Sequence, residues 1–211
     1  MPAAAWALVG ALLGLGCILV SQRLFHVVVN ARDGASPTYS RWWLILSMAI
    51  GGMTGWAAVN AALLRSVALL VVVAALTLVQ APLDFVTRRL SRPVTLLAFG
   101  AVLLIWVRVL LESDRSSAVT ALAVAIAVVA VYAIFHKLSP QSLGLGDVLL
   151  VAPLALALAL MSGADILTWQ LIASVSGALH AIVGRLTSGG HSIPYGPHLL
   201  VAAWLTLVLS V

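Results

Sequence analysis

The strongest constraint on this chain is a series of apolar runs, each about as long as a membrane-crossing helix, separated by short polar segments. Hydrophobic residues make up 63% of the 211 residues and charged residues only 8%, a balance that soluble domains do not reach. Backbone polar groups inside a bilayer must be satisfied within their own segment, so such runs fold as helices. The sequence therefore predicts an all-α fold, a polytopic membrane helix bundle.

Eight apolar runs can be delimited, and we expect about eight transmembrane helices in a single transmembrane domain over residues 1–211. The sixth and eighth runs are short for a full crossing. No basic segment precedes the first run, so we interpret it as a retained span and not a cleaved signal. The predicted spans are Ala3–Ser21, Trp42–Asn60, Ser66–Leu83, Val94–Leu111, Ala118–Phe135, Asp147–Met161, Ile166–Gly184 and His198–Val211.

Basic residues at the ends of these runs predict the orientation of the chain in the membrane. With eight spans, three basic residues fall on one side (Arg65, Arg108 and Arg115) and eight on the other. We expect the richer side to be cytoplasmic and both termini to be extracytoplasmic. The eight are Arg23, Arg32, Arg41, Arg88, Arg89, Arg92, Lys137 and Arg185.

The same spread of charge argues against a nucleic-acid partner, because the basic residues form no continuous patch. A single cysteine, Cys17, excludes a disulfide framework and a cysteine-ligated zinc site. The five histidines form no i, i+4 pair, so we expect neither a metal nor another cofactor, and we interpret His180 as a polar contact between helices. Tryptophans near span ends are interpreted as interfacial anchors: Trp6, Trp42, Trp43, Trp106, Trp169 and Trp204.

The first candidate carboxylate, Asp84, ends the third apolar run, and Arg88, Arg89 and Arg92 follow it. By itself Asp84 is equally consistent with a functional acid and with an interfacial carboxylate paired with one of these arginines. The span count places it on the same side of the membrane as the second candidate, Asp147. We therefore expect the two acids to lie at the same membrane face.

Asp147 begins the sixth run, and Gly144 and Gly146 precede it. An aspartate at a helix start is a favoured N-cap and interacts well with the helix dipole, so capping alone is an alternative explanation. Capping does not explain the two glycines. They remove side-chain bulk beside the carboxylate, so a partner or a peptide backbone can approach it closely.

A third stretch, residues 193–197, reads Ile-Pro-Tyr-Gly-Pro and leads into the last apolar run. Considered separately, it is a rigid turn, because its two prolines fix their φ angles and its glycine permits a bend.

Together, the three stretches resemble the prepilin peptidases, the type IV leader peptidase family of GxGD-type intramembrane aspartic proteases. Members of that family carry an aspartate followed by Thr-x-x-Leu/Ile-Pro and a later threonine, then Gly-x-Gly-Asp-x-Lys, then Ile-Pro-Phe-Gly-Pro before the last helix. Three such motifs in the same order over the last two-thirds of the chain are a strong signal. The matching residues are Asp84, Thr87, Leu90, Thr95, Gly144, Gly146, Asp147 and Ile193–Pro197.

The resemblance implies an aspartic endopeptidase without cofactors, whose catalytic residues are Asp84 and Asp147. It implies that pilin-like precursors are the partners and that a basic leader is removed at the cytoplasmic face of a prokaryotic inner membrane. Longer members carry a methyltransferase domain with two cysteine pairs after the first helix. Residues 22–41 form a short cytoplasmic loop in that place, without cysteine, which implies a short, peptidase-only form. The residues implied to bind substrate or shape the site are Gly144, Gly146, Thr87, Pro194, Gly196 and Pro197.

Two departures from the family pattern keep alternatives open: Ser91 stands where the family has proline, and Leu149 where it has lysine. An inactive family member is one alternative. A small proton- or ion-coupled transporter is another, because transporters also place acids and Gly/Pro breaks in their helices. The acids here lie at span ends and no internal symmetry is visible, which favours the protease.

Overall fold

The computed structural model describes residues 3–29, 41–61, 64–112, 115–139, 143–188 and 194–211. Over these ranges the chain forms eight α-helices, which confirms the predicted all-α bundle. The helices are α1 (Ala3–Val29), α2 (Arg41–Asn60), α3 (Leu64–Thr87), α4 (Arg92–Leu111), α5 (Arg115–Leu138), α6 (Leu145–Met161), α7 (Gly163–Ser188) and α8 (Gly196–Ser210).

Six of these helices are long and apolar enough to cross a membrane, whereas α6 and α8 have 17 and 15 residues. The protein is therefore a multi-pass membrane protein. The two short helices are the sixth and eighth, as predicted.

The first helix is longer than predicted. Residues 22–29 continue α1, so the prediction of a loop over 22–41 was wrong for this part, and residues 30–40 lie outside the described ranges. The polar residues that follow Ser21 are tolerated in a helix, and no glycine or proline interrupts the chain before Gly34.

The core of the bundle is built around α3, which packs against α1, α2, α4, α6 and α8. In the most apolar stretch of α3, 72% of the residues are buried, against 17–28% in the corresponding stretches of the other five long helices. The short helices α6 and α8 are also interior, with nearly continuous runs of buried residues. Helices that the protein encloses on most sides can be shorter than the bilayer is thick.

Two of the six tryptophans that we interpreted as interfacial anchors lie in this core instead. Trp169 is 0% exposed and donates its indole N–H to the backbone oxygen of Leu199 at 2.9 Å, and Trp204 is buried and donates to Thr54 Oγ1 at 2.9 Å. The anchor interpretation was therefore wrong for both. Each ring finds a buried acceptor on a neighbouring helix, so it packs inward.

The helices α1 and α2 meet along a seam of glycines. A Cβ atom at Gly10 would overlap the backbone carbonyl of Gly51, and one at Gly14 would overlap that of Ser47. On the facing helix, Gly55 approaches the backbone of Trp6 in the same way. Small residues spaced four apart allow two membrane helices to pack backbone against backbone.

We predict that Gly10→Ala or Gly14→Ala lowers the thermal unfolding temperature in detergent, because each methyl group would push α1 away from α2. Gly16 lies on the same helix with no atom of another residue within 4 Å of the corresponding position. Gly16→Ala is therefore the matched control, and it should be neutral or stabilise the protein by up to about 1 kcal/mol through helix propensity. Equal effects of all three substitutions would show that the seam is not tightly packed.

Candidate active site

Asp84 lies in the last turn of α3 and is only 6% exposed. Its backbone oxygen accepts the N–H of Arg88 at 2.7 Å, and Arg88 has a φ of 54°. A residue in the left-handed region just after a helix is a common way to end it. The helix therefore stops one turn after Asp84, and the chain turns away from the carboxylate.

The turn after α3 is fixed by Gln80, one helical turn before Asp84. The Gln80 amide donates to the backbone oxygen of Ser91 at 2.8 Å and to Thr95 Oγ1 at 2.9 Å, and it accepts the N–H of Ser91 at 2.9 Å. Because Gln80 is buried, these bonds hold the start of α4 against the end of α3. A proline at position 91 would have no N–H to donate, so the serine at this position suits the glutamine.

Thr87 also shapes this turn. Its hydroxyl donates to the backbone oxygen of Leu83 at 2.7 Å and accepts the N–H of Arg89 at 3.1 Å. The Thr87 hydroxyl therefore forms hydrogen bonds with backbone groups on both sides of it in the sequence, close to Asp84.

Asp147 lies in the first turn of α6, and its carboxylate accepts the backbone N–H of Gly144 at 3.2 Å. The helix begins at Leu145 with Gly144 as its N-cap residue, so the N-cap interpretation of Asp147 was wrong. Asp147 is the third helical residue and reaches back to the cap. One carboxylate oxygen is occupied in this way, and the other faces α8.

Gly196, the first residue of α8, brings the two acids together. A Cβ atom at Gly196 would lie 2.5 Å from Oδ2 of Asp84 and 3.4 Å from Oδ1 of Asp147, so these two oxygens are no more than about 6 Å apart. Oδ2 of Asp84 lies against the backbone of Gly196, and the charge of Asp147 acts on Asp84. The two acids therefore form one site, at the ends of three different helices.

The remaining predicted residues lie around this pair. Gly146 packs against the side chain of Leu90, which brings α6 close to the turn after α3. Pro194 lies two residues before α8 begins, and Pro197 is buried in the first turn of α8. Ile193 lies outside the described residues.

Leu149, at the position of the family lysine, does not face the acids. Residues two apart on a helix point to nearly opposite sides, and Leu149 lines a cavity together with Arg88 and Arg92, to which no described residue of α8 contributes. A side chain at this position contacts the turn after α3 and the face of α4.

Sequence reasoning missed a tyrosine pair beside the acids. Tyr195, next to Gly196, lies close to Tyr132. Tyr132 donates its hydroxyl to Gln170 Oε1 at 2.8 Å. The amide nitrogen of Gln170 is buried and has no hydrogen-bond partner among the described residues. Polar residues inside apolar runs, such as Gln80 and Gln170, were the signal in the sequence that could have found this network.

A second polar chain links α7 to the start of α8. His180 Nδ1 lies 2.9 Å from His198 Nε2, and His198 Nδ1 lies 3.0 Å from Ser176 Oγ. The interpretation of His180 as a contact between helices agrees with this geometry. The His180 ring also stacks on Phe85, the residue after Asp84. These polar contacts therefore connect α7 both to the end of α3 and to the start of α8, the segments that carry Asp84 and Gly196.

Comparisons with protein-family models, with curated proteins and with solved structures gave no significant match. The function is therefore inferred from the sequence motifs and from the geometry of Asp84, Asp147 and Gly196.

We predict that Gln80→Leu destabilises the protein by about 2 kcal/mol or more, because the N–H of Ser91 and the hydroxyl of Thr95 lose a buried partner. Amide hydrogen exchange at Ser91 should accelerate, and thermal unfolding in detergent should move to lower temperature. Asn60→Leu is the matched control, since it removes an exposed amide that bonds only to the backbone of its own helix. A Gln80→Leu protein with unchanged exchange at Ser91 would contradict the role assigned to this amide.

Proposed function

We propose that this protein is an intramembrane aspartic endopeptidase of the prepilin peptidase type. The observation that carries the proposal is the convergence of Asp84 and Asp147 on the backbone of Gly196. The two acids lie 63 positions apart in the sequence, and each belongs to a different motif of the resemblance. A chance similarity of short motifs would not require them to meet.

The chemistry follows from the proximity of the carboxyl groups. Two close carboxylates do not readily both ionise, so the pair shares one proton and titrates as a unit. Two hydrogen bonds of about 2.8 Å to one water molecule span about 4.5 Å at a tetrahedral angle, which lies within the upper bound of about 6 Å on the distance between Asp84 Oδ2 and Asp147 Oδ1. The pair thus can hold the attacking water itself.

In the proposed reaction, the ionised carboxylate takes a proton from the water as its oxygen attacks the scissile carbonyl carbon. The protonated carboxyl donates its proton to the carbonyl oxygen. When the resulting gem-diol collapses, one carboxyl donates its proton to the leaving nitrogen, the other carboxylate takes a proton from a diol hydroxyl, and the C–N bond breaks. The pair is then again singly protonated. Neither a covalent intermediate nor a cofactor takes part in this scheme.

The proposed substrate is a pilin-like precursor with a basic leader and an apolar helix beyond the cut. The acids lie at the end of the bundle that carries the arginines of the turn after α3, which the positive-inside rule assigns to the cytoplasm. In this proposal the precursor helix lies in the bilayer beside the bundle and its cut site reaches the cytoplasmic face of a prokaryotic inner membrane. Gly144 is exposed and has no side chain beside Asp147, so a substrate backbone can approach the acids there.

The transporter alternative is less well supported. Its acids would lie near the bilayer midplane between related halves, whereas Asp84 and Asp147 lie at the ends of their helices. Proton flux in proteoliposomes that depends on both acids, without any cleavage, would favour that alternative.

We predict that Asp84→Asn and Asp147→Asn each reduce cleavage of a co-expressed precursor by at least about 10²-fold, because each removes one partner of the acid/base pair. The product is scored by gel shift, and its new N-terminus by mass spectrometry. Asp165→Asn is the matched control, because Asp165 bonds to Ser210 at the far end of the bundle. Cleavage that persists in either site variant would remove that residue from catalysis.

If the wild-type protein is well folded but cleaves none of several precursors with different leaders, the alternative of an inactive family member is favoured.

We also predict that Gly196→Ala reduces cleavage about 100-fold, since its methyl group would displace the Asp84 carboxyl from its position. Gly100→Ala, in α4, is the control because a methyl group there meets no atom within 4 Å. Full activity of Gly196→Ala would show that the acids need not meet at this glycine.

A further inference from the structure

A second feature of the same membrane face is a groove beside the turn after α3. It has a volume of about 460 Å³ and is lined by three arginines of this turn and by apolar side chains of α4 and α6. We call it the basic groove. Its lining includes Arg88, Arg89, Arg92, Leu96, Phe99 and Leu149.

The groove is strongly cationic. The three arginines are exposed, and no acidic residue is among its described lining residues. Both helices that form its walls, α4 and α6, begin at this end, so the positive ends of two helix dipoles add to the arginine charges. The local field favours an anionic ligand.

The wall below the arginines is apolar and open. Leu96 is 62% exposed and Leu149 is 41% exposed. Phe99 lies seven residues after Arg92 on α4, which is a rise of about 10 Å along the helix. A ligand that fills the groove therefore needs an anionic head at the membrane face and an apolar chain that continues into the bilayer.

The arginine turn is held in place by its surroundings. The left-handed backbone of Arg88 is supported by Thr87, whose hydroxyl accepts the N–H of Arg89, and by Gln80, whose amide pairs with Ser91. A strained residue that the surrounding contacts hold in place is a reason to look for a function. A turn ordered before binding loses little further entropy when a ligand arrives.

A cavity at the other end of α4 provides an internal comparison. It has a similar volume, about 420 Å³, and is lined by Arg65 and Arg108, but also by Glu112. Arg108 forms an ion pair with Glu112. Glu112 therefore neutralises part of the positive charge of the opposite cavity. No acidic residue is among the described lining residues of the basic groove.

We propose that the basic groove binds an anionic phospholipid. The arginines contact the phosphate, and one acyl chain packs against Leu96, Phe99 and Leu149. The groove borders the acid site at Gly146, but neither acid and no residue of α8 is among its described lining residues. The proposal does not depend on the proteolytic function, and its test needs no substrate.

The test uses the full-length protein purified in a neutral detergent and measures lipid binding by native mass spectrometry. Phosphatidylglycerol and phosphatidylcholine with identical acyl chains are offered in equal amounts. We expect the wild type to retain phosphatidylglycerol preferentially and the double variant Arg89→Gln/Arg92→Gln to lose about 30-fold in its affinity, given the usual contribution of two basic residues near an anionic head group. Arg88 is kept in both proteins because its backbone supports the turn.

The matched control is Arg108→Gln/Arg115→Gln, which removes the same charge at the opposite end of the bundle and should leave the preference unchanged. An equal loss in both double variants, or no loss in either, would overturn the proposal. Inorganic phosphate is the second probe: if it displaces the lipid at millimolar concentration, the site recognises a free anion and the lipid proposal fails. Thermal unfolding of each variant verifies that it is folded, and a rise in the unfolding temperature of the wild type with phosphatidylglycerol alone provides independent support.

Discussion

The arrangement at the membrane face depends on the contact of two carboxylates with the backbone of one glycine. Three helix ends meet there: the last turn of α3, the first turn of α6 and the first residue of α8. Any side chain at position 196 would occupy the space that the Asp84 carboxyl now fills. The packing of α3 against α6 and α8 fixes this meeting point. The helices that form the core of the bundle are therefore also the helices that carry the candidate site.

The hydrogen bonds around the acids come mainly from the backbone and from neutral polar side chains. Gly144 donates its N–H to the Asp147 carboxylate, the backbone of Gly196 lies against the Asp84 carboxylate, and Gln80 and Thr87 hold the turn that follows Asp84. Neutral donors orient a carboxylate without fixing it in a permanent ion pair, so it remains available to exchange a proton. This distinguishes the pair from a structural salt bridge such as Arg108–Glu112.

Much of this fold was predictable because long apolar runs leave a membrane chain few options. The number of helices and the shortness of α6 and α8 followed from run length alone, and the placement of Asp84 and Asp147 at one face followed from counting spans. Features that depend on packing were not predictable. The position of Asp147 within α6 depends on where the helix starts, and the inward turn of Trp169 and Trp204 depends on acceptors supplied by other helices. The Gln80 clamp and the Tyr132–Gln170 contact join segments whose proximity no local pattern reveals.

The lengths of α6 and α8 have a consequence for the supply of water. At 1.5 Å per residue, helices of 17 and 15 residues rise about 25 and 22 Å, which is less than the roughly 30 Å of hydrocarbon in a typical bilayer. At this end a neighbouring helix continues further. α7 extends to Ser188, eight residues beyond His180, whose Nδ1 lies 2.9 Å from Nε2 of His198, so the bundle is recessed where α8 begins. The acids lie at that recess, and water therefore reaches them without crossing the full thickness of the hydrocarbon layer.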